Sequence, residues 1–186
     1  MARGKRPATD GCSAGIPQGE SMNEGVFKSV KIRNGSPSDH GKILAVMPEW
    51  WHGRDLTRHL LKIFFIHFKE TIFIAEKDSD LIGFVIGFLS QSEPDEAYIH
   101  LLGVHPGMRR LGLGRLLYKE FFEVCQKKGR SIFRACTSPL NKLSVEFHRH
   151  MGFQIEPGDD LIDGLPVTKN YLRENEPKVL FKKVVG

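Results

Sequence analysis

Cysteine is scarce in this chain. Cys12, Cys125 and Cys136 are odd in number and share no disulfide-like or ligand-like spacing, which suits a reducing compartment and argues against a structural zinc site. Long apolar runs are missing too: the longest, residues 81–89, is far too short to cross a bilayer, and no signal-peptide-like segment opens the chain. The expected location is cytoplasmic, with no membrane partner, where the triplet Asn34-Gly35-Ser36 would not meet the glycosylation machinery. No charge of one sign dominates. The 27 basic and 22 acidic residues are interspersed, apart from Arg3-Gly4-Lys5-Arg6, and a nucleic-acid partner is not expected from a formal charge of +5 alone. Internal repeats are absent, and so are two familiar phosphate loops. No Gly-Lys-Ser/Thr of the Walker type occurs, and Leu117 stands where a dinucleotide fingerprint needs its third glycine.

What is present is 40% hydrophobic residues over 186 positions, enough for one ordinary globular domain. Residues 1–25 are rich in Gly, Ser, Pro and Ala and read as a flexible tail; residues 26–186 read as the domain. Weak alternation predicts a first strand over residues 26–33. Ser36 as N-cap and Pro37 at the first helical position predict a helix to about Met47, interrupted by residues 48–53. The spacing of Leu60, Leu61, Phe64, Phe65 and Phe68 predicts a second helix over residues 55–68. Strands at residues 71–76 and 81–91 form a hairpin across a polar turn, and a third strand covers residues 97–104. A helical stripe through Leu113, Leu117, Phe121 and Cys125 ends near Gly129, followed by a strand at 131–136, a helix at 141–151 and a strand at 153–156. A stretch holding Asp159, Asp160 and Asp163 reads as irregular before a last strand at 179–184.

Between the third strand and the stripe lies "VHPGMRRLGLGR", residues 104–115. A glycine inside a helix costs about 1 kcal/mol relative to alanine, so two in one opening turn indicate a close approach to the backbone. The first N–H groups of a helix lack intrahelical partners and sit at the positive end of its dipole, so they bind phosphate oxygens through main chain alone. Arg109, Arg110 and Arg115 add positive charge around Gly112 and Gly114. Glycines at a helix start also serve tight packing, and Gly-x-Gly by itself leaves both readings standing.

The run from Val104 to Gly114, after a strand and opening an amphipathic helix, resembles the acetyl-CoA pyrophosphate loop of the GNAT superfamily of acyl-CoA N-acyltransferases. "NKLSVEFHRHMGF", Asn141 to Phe153, is similar to that superfamily's later helix, and the two motifs stand in the expected order. The resemblance implies an α/β (mixed α+β) fold: a central mixed, mostly antiparallel sheet with helices on both faces, whose central strands splay apart to admit the pantetheine arm. It implies acetyl-CoA as co-substrate and no metal. Cofactor contacts would come from the main chain of Leu102, Gly103 and Val104, from the turn through Arg109, Arg110, Leu111, Gly112, Leu113, Gly114 and Arg115, and from Asn141. Gly103, inside a strand, fits a bulge or a close backbone approach. Dimers are common among proteins of this kind, which leaves a homodimer open.

An alkyl amine with a pKa of about 10.4 is neutral in only about one molecule in a thousand near pH 7.4, so a base is required, and the departing thiolate calls for an acid. The superfamily's usual acid is a tyrosine seven residues after the asparagine, and His148 occupies that place; a protonated imidazole can donate to sulfur, and a structural histidine is the other reading. Ser144 and His150 are weaker candidates. For the base, His100 stands where some relatives carry a carboxylate, and alternation puts Tyr98, His100, Leu102 and Val104 on one strand face; a hydrogen-bonded core histidine is the alternative. Cys136 stands where other relatives carry a glutamate. In such folds the acceptor pocket is partly built by the connection holding Trp50, Trp51, His52 and Arg54. The tryptophans there either grip a cation or pack the helix pair, and Arg54 suits a carboxylate. Glu93, Asp95 and Glu96 either steer a polyamine or face water. The expected function is acetyl transfer from acetyl-CoA to a primary amine of a small molecule or peptide, by direct attack in a ternary complex. Two rivals remain: an acyl-CoA-binding module without catalysis, and a basic nucleic-acid-binding protein.

Overall fold

The computed structural model describes residues 27–51 and 53–186. The proposed tail, Val26 and His52 therefore lie outside the described residues. Strands β1 (Val30–Asn34), β2 (Ile72–Lys77), β3 (Asp80–Leu89), β4 (Glu96–Val104), β5 (Ile132–Thr137), β6 (Gln154–Ile155) and β9 (Val179–Val184) form one sheet in the order β1-β2-β3-β4-β5-β9-β6. Every neighbouring pair is antiparallel except β4 with β5, so the sheet is mixed and mostly antiparallel, as the resemblance implies.

Helices cover both faces. On one face α3 (Leu113–Lys127) and α4 (Lys142–His150) bury Leu113, Leu117, Phe121, Cys125 and Val145 against Ala97, Ile99, Phe133 and Phe181. Gly83 on β3 lets this helix sit close, because a Cβ there would lie 3.1 Å from Leu113 and Leu117. On the other face α1 (Asp39–Trp50) and the short α2 (Phe64–His67) bury Ile43, Met47, Trp50 and Phe65 against Ile72, Ile74, Phe84 and Ile86.

The first helix starts later and runs further than its sequence suggests. Ser38 holds the N-cap position, and Ser36 instead donates from its N–H and hydroxyl to the Asp39 carboxylate at 2.8 and 2.9 Å. Asp39 is 1% exposed and held by two Arg33 hydrogen bonds, which depress its pKa to about 2. Pro48 lies within the last turn rather than ending the helix, where the lost N–H affects a single internal bond.

A continuous helix over residues 55–68 does not form. The segment holds a 3-10 turn at Thr57–His59, α2, and a second 3-10 turn at Lys69–Thr71. Two carbonyls that a helix would bond internally are taken from outside: His40 Nε2 lies 3.1 Å from the Leu60 oxygen, and His100 Nε2 lies 2.7 Å from the His59 oxygen. Tertiary partners thus override local propensity.

The stretch after β6 is not irregular throughout. β7 (Asp160–Ile162) and β8 (Leu165–Val167) make a hairpin across Asp163 and Gly164, both at positive φ, as a two-residue turn of this type requires.

Candidate active site

β4 and β5 pair in parallel only from Glu96 with Ile132 to Ile99 with Ala135. Beyond that point β4 continues to Val104 with β3 on one side and, among the described residues, no strand on the other, which leaves one edge of its main chain along residues 100–104 unpaired by any described strand. This is the splay the resemblance implies. The opening belongs to a cleft of about 960 Å³ lined by β4, by the turn before α3, by α4 and by the Trp50–Arg54 connection.

A β-bulge sits at the mouth of the splay. Ile86 pairs with Leu101 but Gly87 with Ile99, leaving His100 as the extra residue on β4. The bulge shifts the alternation, so Tyr98, His100, Leu102 and Val104 do not share one face. Leu102 and Val104 pack toward the α3 core, whereas His100 stacks on Phe64 at 4.7 Å and Tyr98 on Phe88 at 5.4 Å. His100 lines the cleft. With Nε2 donating to the His59 carbonyl, Nδ1 carries the lone pair, and burial holds the imidazole below its usual pKa of 6.5. His59, beside it in the lining, is lowered as well, mainly by burial and then by Arg58.

The turn before α3 consists of a 3-10 turn at Pro106–Met108, Arg110 at φ +62 and Gly112 at φ +97 as the helix N-cap. The two glycines have different tasks. Gly112 supplies a backbone conformation other residues rarely adopt, while a Cβ on Gly114 would lie 3.2 Å from the Phe147 ring, so Gly114 brings α3 against α4. At Gly103 the close approach is to aromatic rings: a Cβ there would strike the Phe84 ring and come within 2.8 Å of Trp51. Arg109 Nε donates to the Val104 carbonyl at 3.3 Å and its Nη2 to the Trp50 carbonyl, pinning the end of α1 to the end of β4. Arg110, Leu113 and Arg115 line the cleft beside the turn; Leu111 does not.

On α4, the Asn141 side chain accepts from the Ser144 N–H at 3.4 Å as the helix N-cap, and its Nδ2 has no partner among the described residues. His148 is 5% exposed, stacked on Phe181 at 4.4 Å. Its Nδ1 lies 2.7 Å from the Ser144 carbonyl and so carries the proton, which makes Nε2 the acceptor of the Tyr118 hydroxyl at 3.0 Å. Burial pushes the imidazole down to about 4 despite the bond to Ser144, so at neutral pH His148 is uncharged and the imidazolium expected as acid is not the resting form. Tyr118, buried and with its own pKa raised by desolvation, also lines the cleft. It is a site residue the sequence reading missed, although its i+4 spacing from Gly114 put it on the same helix face. His150 lies at the rim, bonded to the Glu146 carbonyl at 2.8 Å, and the Ser144 hydroxyl is 3.4 Å from His148 Nδ1.

On the α1 side of the cleft, Trp50 is 1% and Trp51 9% exposed, stacked with each other and, for Trp50, on Phe84, so they pack the core while also lining the cleft. Arg54 is exposed at the mouth, and Cys136 lies beside Tyr98 with its thiol pKa raised by burial. Glu93 and Asp95 lie on the exposed loop, and Glu96 pairs with Arg134 at 2.6 Å; none lines the cleft. Among the described residues no group of His, Cys, Asp and Glu is arranged to hold a metal ion, and no helix is long and apolar enough to cross a membrane.

The frame of the site is thus a mixed sheet that opens between a bulged strand and its parallel neighbour, with the turn before α3 at the end of the opening. The sequence matches the acetyltransferase (GNAT) family over residues 33–153, and the chain belongs to that family. It is similar to an uncharacterized N-acetyltransferase of Methanocaldococcus jannaschii, 27% identical over 141 residues covering 69% of this chain and 62% of that protein. It is also similar to the L-2,4-diaminobutyric acid acetyltransferase of Nocardia farcinica, 31% identical over 78 residues covering 42% of this chain and 40% of that protein. The chain thus aligns with less than two thirds of the length of either relative. The crystal structure of Ard1 from Thermoplasma volcanium shares the fold, with a TM-score of 0.69 at 20% identity over 85% of this chain and 99% of that one.

Proposed function

We propose that the chain transfers the acetyl group of acetyl-CoA to a primary amine of a small molecule or peptide, by direct attack in a ternary complex, in the cytoplasm. The observation that carries this reading is the continuous path from the bulge at His100, along the unpaired edge of β4, to the N-terminus of α3 opened by Gly112. The free main chain of residues 100–104 suits the amides of a pantetheine arm, and the helix end with Arg110 and Arg115 suits its diphosphate. The relative named for L-2,4-diaminobutyric acid is compatible with a small-molecule amine.

Bound acetyl-CoA supplies the activated acyl group; the protein supplies orientation and proton handling. Alignment of amine and thioester can provide about 7 to 11 kcal/mol of the acceleration, and a positioned base about 10²- to 10⁴-fold. His100 is the base. Its ring is fixed by the His59 carbonyl, its Nδ1 lone pair is available, and burial keeps it neutral at pH 7 to take the ammonium proton. The Tyr118 hydroxyl, which burial keeps protonated, supplies a hydrogen bond that it can redirect from His148 Nε2 to the departing thiolate, while the thiolate's proton comes from solvent. A thiol with a pKa of about 8.5 leaves readily, so this contribution is the smaller one.

The second reading, a binding module without turnover, is favoured by the absence of a lining carboxylate among the described residues. Calorimetry with CoA and thiol release from acetyl-CoA over a panel of amines separate the readings. Heat with turnover is expected. Heat without turnover on any amine selects the module, and salt-sensitive DNA or RNA binding that survives excess CoA selects the nucleic-acid reading.

A further inference from the structure

The charge of the cleft wall carries more than the transfer reaction itself. The chain has 22 acidic residues, yet among the described residues lining the cleft none is acidic, while Arg54, Arg109, Arg110, Arg115 and Lys178 are basic. Most of these cations have other tasks. Arg110 and Arg115 flank the turn before α3, Arg109 binds the carbonyls of Val104 and Trp50, and Lys178 pairs with Glu176 at 3.2 Å. Glu176 in turn takes Arg58 at 2.6 Å. Arg54 is the lining cation left over: its Nε makes one long contact, 3.5 Å to the Trp51 carbonyl, and it has no ion pair among the described residues.

Resting on the acetyltransferase reading, we infer that the acceptor is a small amine that also carries a carboxylate, and that Arg54 at the cleft mouth binds that carboxylate. A guanidinium matches a carboxylate with two parallel hydrogen bonds. The same wall disfavours a diamine or polyamine. A second ammonium would be desolvated beside Arg54 and Lys178 with no lining carboxylate among the described residues to receive it. The attacking amine itself reaches the neutral form at His100, where no negative charge is needed to hold it.

Matched pairs of acceptors test the inference: lysine against 1,5-diaminopentane, ornithine against 1,4-diaminobutane and 2,4-diaminobutyrate against 1,3-diaminopropane, with kcat/KM read by thiol release. The carboxylate-bearing member of at least one pair is expected to be better by tenfold or more. Arg54→Gln is expected to raise KM for that member and bring the ratio toward one, while Arg54→Lys keeps part of it. Equal use of both members, preference for the diamines, or a ratio unmoved in Arg54→Gln overturns the inference while leaving the transferase reading intact. A fourth arm, a peptide with a free N-terminal amine compared with its variant carrying an acidic second residue, separates sources of the carboxylate: a preference confined to the acidic peptide overturns the small-molecule assignment. No thiol release from any amine overturns the transferase reading and this inference with it.

Discussion

His100 and His148 show how burial and one fixed hydrogen bond set what a histidine can do. Each has one ring nitrogen committed to a main-chain carbonyl, His59 for the first and Ser144 for the second, and each is lowered in pKa chiefly by desolvation. The difference lies at the other nitrogen. That of His148 is taken by Tyr118, and that of His100 has no partner among the described residues. His100→Gln is therefore expected to lower kcat/KM by about 10²- to 10⁴-fold with CoA affinity unchanged, and the acid limb of the wild-type pH–rate profile should lie below pH 6.5. Tyr118→Phe should cost less in rate. A His100→Gln enzyme with undiminished kcat/KM would remove it as base.

Among the elements, the turn before α3 and the bulge in β4 decide the site. The residues from Pro106 to Gly112 could be read in advance because their requirements are local: proline starts a turn, and a glycine must stand where φ is +97. The bulge could not, since an extra residue in a strand is defined only against its partner's register. The missing helix at residues 55–68 has the same cause, because the histidines that take its carbonyls come from α1 and β4. The hairpin of β7 and β8 is a different case. Asp163-Gly164 is a preferred two-residue turn and stands in the sequence, but three-residue strands are too short to show alternation. Two variants at Gly112 separate backbone strain from the proposed anion site. Gly112→Ala adds strain at positive φ, at a cost of about 1–2 kcal/mol in stability, and Gly112→Glu adds the same strain plus a negative charge. Calorimetry is expected to find CoA binding weakened in the first and abolished in the second, with both folded by circular dichroism; equal affinity in the two would refute a diphosphate site at this helix end.

For the molecule as a whole, the two cores on opposite faces of the sheet are closed by buried polar groups whose protonation limits the stable pH range. His148 has a pKa of about 4 when folded against the usual 6.5, so below pH 6.5 the unfolded chain takes up a proton that the folded chain refuses. Its contribution is complete above pH 6.5 and is lost as pH falls toward 4, to an extent on the order of 3 kcal/mol. Asp39, held near 2 by Arg33, acts in a separate window, its contribution present above the ordinary 3.8 and lost below it. Urea unfolding from pH 7.5 to 4.5 is expected to show falling stability, with close to one proton less of slope in His148→Gln; an identical slope in that variant would assign the acid sensitivity elsewhere.

Apart from the segment at residues 55–68 and the β7–β8 hairpin, the sequence alone determined the order of strands and helices, the turn that opens α3, the motif of α4 and the family, because each depends on residues close together in the chain. Tertiary structure decided which way His100 faces, why Gly103 and Gly114 must be small, that Tyr118 meets His148, and that Arg54 lines the cleft without a carboxylate partner among the described residues. These depend on strand register and on partners up to tens of residues away, and such contacts become fixed only when the sheet is paired and its two faces are packed.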